Sequence, residues 1–246
     1  MKKFLCVLAV LVSAVVFTAC NPLSLLNGNG SAQKVTKSDL EGIWKSDVRF
    51  ADMMFAIDEE TLEESADDAQ KNVLDVIKTS SADVSIAFYL DFSDDSYDVY
   101  FKISEYATAL KDFYYQLFDE LSDDSERLAK FMSLTEDELD EFLQTQGMTK
   151  LSEVTDMLKA NVNNMSESDI ESFISGGNGK IKNGKYITED LDFEIDGKKV
   201  VLQEDTGSDN TVIMRLKNDK LVFDKFTDEG VNANAYIFKN GFEKVK

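Results

Sequence analysis

Residues 85–102 read Ser-Ile-Ala-Phe-Tyr-Leu-Asp-Phe-Ser-Asp-Asp-Ser-Tyr-Asp-Val-Tyr-Phe-Lys, and their period decides the fold. Ile86, Phe88, Leu90 and Phe92 fall on one face of an extended chain, and Ser85, Ala87, Tyr89 and Asp91 on the other. Ser93 to Ser96 is a polar turn. Beyond it Tyr97, Val99, Phe101 and Ile103 alternate with Asp98, Tyr100 and Lys102. Two period-two runs across a short turn predict an antiparallel hairpin with one buried face.

The same grammar returns at the end of the chain. Asn183-Gly184 is a turn and Lys185–Thr188 is extended. Leu191, Phe193 and Ile195 alternate with charged residues as far as Asp196-Gly197, a two-residue hairpin signal. Strands are then expected over Val200–Glu204, Val212–Lys217, Leu221–Phe226 and Asn234–Lys239, with a tight turn at Asn218-Asp219. Upstream, Gly42-Ile43-Trp44 opens the first strand. Eight or nine short strands must hide their edges, and an antiparallel barrel does so by closing on itself.

Between these strands the period changes to 3.6. Asp58–Lys78 carries an apolar stripe of Leu62, Ala66, Ala69, Val73, Val76 and Ile77, with acids in its first turns. Tyr106–Leu121 repeats Tyr106, Leu110, Phe113, Tyr114, Leu117 and Leu121 at helical spacing. Residues 134–143 and 165–174 match at an offset of 31, each with a Thr or Ser followed three places later by an acid. That is a capping box, with Leu134–Leu139 and Met165–Ile170 as hydrophobic staples. Two helix starts converging on one chemistry account for the match, and a duplicated helix unit flanking Leu151–Val162 is the alternative. The expected fold is therefore α+β: an antiparallel barrel of about 8 strands in residues 36–246, with acidic helical insertions near 52–80 and 104–176.

Charge follows the same division. Residues 104–175 hold 17 acidic and 5 basic side chains, whereas residues 176–246 hold 13 and 12. The whole chain of 246 residues carries a net charge of -21 and no histidine. Phosphate binding requires clustered Lys and Arg, so nucleic acid is not expected as a partner. Histidine triads and histidine metal sites are excluded outright. There is no Gly-x-Ser-x-Gly elbow and no phosphate-binding Gly-x-x-x-x-Gly-Lys loop. Paired carboxylates could serve a glycosidase, but among 47 acids no pair stands out. Asp192–Gly197 begins like a calcium loop, yet Gln203 stands where the bidentate Glu belongs, and a hairpin fits better. No catalytic residue, metal ligand or cofactor is expected. The acidic helical faces read as solvated surface or as a docking face for a basic protein partner.

The first residues, Met1 to Ala19, read as an export signal: Lys2 and Lys3, then a 16-residue apolar run from Phe4 to Ala19. A membrane span needs about 20 residues. Phe17-Thr18-Ala19-Cys20 resembles the lipobox of bacterial lipoproteins. The resemblance implies cleavage after residue 19, a diacylglycerol on the Cys20 sulfur, and an anchor in the bacterial envelope outside the cytoplasm. Residues 20–35 then form a tether holding the lone proline, Pro22. Asn21 is not the aspartate of an inner-membrane retention signal, which leaves the outer membrane or cell surface open. Cys6 leaves with the signal, so the mature domain has no pair of thiols to bridge.

Gly42-Ile43-Trp44 is similar to the Gly-x-Trp that opens lipocalin-like barrels, and Asn183-Gly184-Lys185-Tyr186 resembles the Gly-x-Tyr strand starts of such domains in bacterial lipoproteins. The resemblance covers about 40–50, 85–103 and 180–240. It implies a barrel with an apolar interior that binds a small hydrophobic ligand, with Trp44, Phe88, Phe101 and Phe193 as candidate ligand contacts. Each also reads as barrel core, and Trp44 as a plug at the closed end. In lipocalins a late arginine stacks on the tryptophan; here the C-terminal stretch offers Lys239 and Lys244. If Cys20 is the anchor, Cys20→Ser removes the acyl mass from the mature N-terminus and releases the protein from membranes, read by intact mass and by fractionation.

Overall fold

A computed structural model describes residues 34–54, 67–175, 179–203, 211–224, 226–227, 230–231 and 237–245. Cys20, the tether as far as residue 33, and the expected helical start over residues 58–66 lie outside them. The hairpin forms as its alternation requires: β2 (Ser85–Ser93) pairs with β3 (Ser96–Lys102) through Leu90 opposite Val99 and Phe92 opposite Tyr97. Asp94, with φ at +46°, makes the reversal. One difference lies at its end. Ile103, expected on the strand, begins a helix instead and is buried among that helix's apolar residues.

On its other side β2 pairs with β1 (Gly42–Arg49) over eight residues, from Gly42 opposite Phe92 to Arg49 opposite Ser85. The C-terminal meander supplies β4 (Lys180–Lys182), β5 (Lys185–Asp196), β6 (Lys199–Gln203), β7 (Thr211–Lys217) and β8 (Lys220–Phe223). Asp196-Gly197 makes the expected hairpin, with Asp196 opposite Lys199 and Gly197 at φ +60°. The expected strand Leu221–Phe226 is shorter: β8 stops at Phe223, and Phe226–Thr227 (β9) pairs apart with Gly230–Val231 (β10). Of the expected last strand Asn234–Lys239, residues 234–236 lie outside the described residues and the remainder is not extended. Ile237 is helical, residues 238–240 turn, and β11 is Phe242–Lys244. Gly241 is what permits this register. Its φ is +67°, and a Cβ there would meet the Leu221 carbonyl oxygen at 2.7 Å.

The sheet closes. Antiparallel pairing runs β3-β2-β1-β11-β8-β7-β6-β5, and β5 returns to β3, so eight strands form a barrel with β4 laid against β5. Strand β5 is long enough to serve two sides. Residues 185–192 pair with β3, 185–187 also with β4, and 193–196 with β6. Asp190, at φ +59°, lies in the irregularity of the β3 ladder between Thr188 and Leu191, its backbone N–H donating to Asp98 Oδ1 at 3.0 Å.

The helices are α1 (Lys37–Leu40), α2 (Phe50–Met54), α3 (Asp68–Lys78), α4 (Ile103–Leu121), α5 (Ser125–Met132), α6 (Glu136–Gln146), α7 (Leu151–Asn163) and α8 (Glu167–Ile174). Strands β1 and β3 are both antiparallel to β2, so they run in the same direction and leave the barrel at the same end. Their following helices, α2 and α4, therefore meet there. Phe50 packs at 5.7 Å from Tyr106 and 5.1 Å from Phe113, centroid to centroid. Helix α4 buries ten side chains and sits between the barrel and the helices α5, α7 and α8. Barrel and helices thus share one apolar core. Val35, expected in the tether, belongs to it: it is buried, and its N–H donates to the Gly197 carbonyl at 3.0 Å.

Both capping boxes form. Glu138 Oε2 accepts from the Thr135 N–H at 2.8 Å, and Asp169 Oδ2 from the Ser166 N–H at 2.8 Å. The reciprocal bonds to the Thr135 and Ser166 hydroxyls are 3.2 Å each. Hydrogen bonds from their caps hold both carboxyls below the usual carboxylate range. A depressed folded-state pKa stabilises the fold above the unfolded value and ceases to do so as pH falls through the folded one. Thr135→Ala and Ser166→Ala are each expected to lower stability by about 1 kcal/mol at neutral pH, measured by urea denaturation. That loss shrinks as pH falls through the depressed folded-state values, below which Glu138 and Asp169 are protonated with or without the cap.

Candidate functional site

The barrel interior is built by alternation. On β1, Trp44, Ser46 and Val48 are buried while Lys45 and Asp47 point outward. Register sets Trp44 opposite Leu90, Ser46 opposite Phe88 and Val48 opposite Ile86. Of the four candidate contacts, the structure joins only two directly. Phe88 meets Phe101 edge-on at 5.7 Å, and Phe101 goes on to Tyr186 and Tyr106, each at 5.2 Å. Phe193 belongs to a different knot, with Phe92 at 5.2 Å and Tyr97 at 6.5 Å. Phe88 also touches Phe238 at 5.5 Å, in the turn before β11.

Trp44 is tied down at the other end. Its indole N–H donates to the Leu40 carbonyl at 2.6 Å, and Lys244 Nζ lies 5.5 Å from the ring centroid. Lys244 is opposite Trp44 in the β1–β11 ladder, and its ammonium also donates to the Asp39 carbonyl at 3.0 Å. Of the two C-terminal lysines, it is Lys244 that covers the tryptophan; Lys239 pairs with Asp52 at 2.9 Å.

Sequence reasoning passed over the polar atoms of this interior. Among the described residues, four buried side-chain atoms lack a hydrogen-bond partner: Ser46 Oγ, Tyr106 Oη, Tyr114 Oη and Arg127 Nε. Arg127 is otherwise engaged, its Nη2 reaching Glu120 and the Val76 carbonyl at 3.4 Å. The three hydroxyls belong to the barrel and to α4. Ser46 faces the lumen opposite Phe88. Tyr106 stands at the barrel end between Phe101 and Phe50, and Tyr114 follows between Phe113 and Phe118. Both phenols are inaccessible to solvent, and burial pushes their ionisation well above the ordinary tyrosine range. They stay neutral and keep a proton to donate. A buried polar group without a partner costs about 1–3 kcal/mol.

The outer face of the same strands shows the contrast. Tyr89 and Tyr100 stack at 4.9 Å, with Lys185 Nζ 3.7 Å from the Tyr100 centroid. There Tyr89 Oη donates to Glu105 Oε2 at 3.1 Å. A serine at an inward period-two position, between Trp44 and Val48, was the legible signal for the interior set. Tyr106 and Tyr114 fit the apolar stripe of α4 by spacing, and spacing carries no signal for their hydroxyls.

Comparison with protein-family models, curated proteins and solved structures finds no match for this chain. Its reading therefore rests on the arrangement of its own residues. Replacing Lys244 with Ala uncovers Trp44, the only tryptophan. A red-shifted fluorescence emission and a stability loss of about 0.5–1 kcal/mol are expected, the range for an exposed cation–π contact.

Proposed function

We propose that this chain is a lipid-anchored, non-enzymatic protein of the bacterial cell envelope. Its lipocalin-like barrel, together with the helix that covers one end, takes up a small hydrophobic ligand. Cys20 carries the anchor and keeps the domain outside the cytoplasm. One observation carries the ligand reading: three buried hydroxyls without partners among the described residues, Ser46, Tyr106 and Tyr114, in an interior otherwise built from apolar and aromatic side chains. Ligand sites have that composition, mostly apolar walls with a few convergent polar groups. Phe88 and Phe101 connect the serine to the first tyrosine and form the wall between them.

A second reading is favoured by Tyr115. It is 37% exposed on α4, with Asp112 and Asp119 exposed one turn to either side. In that reading the barrel is a filled scaffold, and the acidic helices engage a basic protein partner through this face.

Native mass spectrometry of the mature protein, purified from its cells without denaturation, separates the two. An adduct of lipid or metabolite mass that is lost on organic extraction is the expected result. A bare mass, together with unchanged Trp44 emission after incubation with extracted envelope lipids, overturns the ligand reading and directs attention to the Tyr115 face.

A further inference from the structure

We infer that the buried hydroxyls of Tyr106 and Tyr114 are donor positions for uncharged hydrogen-bond acceptors, such as the carbonyl oxygen of a ketone, ester or amide carried on an apolar body. The inference rests on the ligand reading above and adds the chemistry of the head group.

The argument begins with what surrounds the two phenols. Tyr106 is fully buried, with Phe50 at 5.7 Å and Phe101 at 5.2 Å. Tyr114 is fully buried, with Phe113 at 5.6 Å and Phe118 at 5.7 Å. Both side chains stand on one stripe of α4, eight residues apart, about two helical turns. At a rise of 1.5 Å per residue their Cα atoms stand about 12 Å apart along the helix, so they offer two donor positions rather than one. Neither hydroxyl has a partner within the described residues. Each is therefore a donor without an acceptor among the described residues, in an aromatic setting shielded from solvent, where a hydrogen bond is electrostatically stronger than in water.

The charge of the guest follows from the charges that are missing. Burial is the first cause acting on both phenols, and among the causes resolved for either there is no lysine or arginine. Cations beside α4 are engaged with carboxylates: Lys102 with Glu105 at 2.7 Å, Lys159 with Asp119 at 2.5 Å and Arg127 Nη2 with Glu120 at 3.4 Å; of their buried donors only the Arg127 Nε–H has no partner among the described residues. A carboxylate brought to the phenols would be a buried charge without a counter-ion, which is far more costly than a buried neutral dipole. A hydrocarbon would leave both hydroxyls unsatisfied. A neutral acceptor meets both requirements, and Ser46, in the lumen beyond Phe101, gives a second polar contact for a longer guest.

Three probes of matched size test this on the mature full-length protein: acetophenone, which has a neutral carbonyl; ethylbenzene, which has none; and benzoate, which is anionic. Calorimetric titration is expected to rank acetophenone first, roughly 3–10-fold tighter than ethylbenzene for one net hydrogen bond, with benzoate last. Tyr106→Phe and Tyr114→Phe keep the ring and remove the donor. One or both should reduce the acetophenone preference by a similar factor and leave ethylbenzene binding unchanged. In the probe-free protein the same variants should raise Tm, because a buried unpaired hydroxyl is gone.

Benzoate binding best overturns the neutral-acceptor inference. A lowered probe-free Tm in both variants overturns it too, since the hydroxyls would then already be partnered. If both variants keep the full acetophenone preference, the tyrosine inference falls while the ligand reading stands. If no probe binds and the purified protein also shows a bare mass, both fall together.

Discussion

Closure of the sheet between β3 and β5 is the constraint on which the rest of the molecule depends. An open meander of this kind would present two rows of unpaired N–H and C=O groups to solvent. The bend at Asp190 and the length of β5 remove them by letting one strand serve β3, β4 and β6. With the barrel closed, each inward residue has one destination, the lumen, and each outward residue another. The two faces of β2 then acquire different chemistry. Ile86, Phe88, Leu90 and Phe92 join the shared core, while Ala87 and Tyr89 form a small outer cluster with Tyr100 and Ile187.

Closure also decides where the helices go. Because β1 and β3 run the same way on either side of β2, α2 and α4 emerge at one end and pack against each other through Phe50, Tyr106 and Phe113. The opposite end is held by a different device, the Trp44 indole bonded to Leu40 and covered by Lys244. An interior stoppered by an aromatic cluster at one end and by an anchored indole at the other has little contact with water. In such a place an unpaired hydroxyl is expensive, and for that reason Ser46, Tyr106 and Tyr114 carry more information about function than the four aromatic residues singled out by pattern. An aromatic ring inside a barrel is core by default. A donor without an acceptor is not explained by packing.

The helical layer illustrates how local chemistry and global charge separate. Glu138 and Asp169 have local work at helix starts, which their hydrogen bonds to Thr135 and Ser166 display. Several other acids are paired with cations from distant elements, as Asp75 is with Lys130 and Asp119 with Lys159. Others, such as Asp137, Asp140 and Glu141, simply face solvent. The net negative charge of residues 104–175 is thus partly capping, partly bridging and partly solvation, a mixture that composition alone does not divide.

By itself the sequence determined the elements whose signals are local. The 85–102 hairpin, the turns at Asn183-Gly184, Asp196-Gly197 and Asn218-Asp219, the helix through Tyr106–Leu121 and both capping boxes all depend on residues within a few positions of one another. The antiparallel barrel followed from them as the way to hide so many edges. What failed locally failed for a physical reason. Residues 234–239 alternate as a strand does, but the ladder position beside β1 and β8 is taken by Phe242–Lys244, which Gly241 alone allows to approach Leu221. Ile103 fits the period of β3 yet starts α4, and its N–H still donates to the Gly184 carbonyl at 2.9 Å, where the β3–β5 ladder ends. Only the tertiary structure decided that Lys244 covers Trp44 and that the hydroxyls of Ser46, Tyr106 and Tyr114 have no partner among the described residues. Those facts are contacts, or missing contacts, between segments far apart in the chain, and a period carries no information about what lies across the barrel.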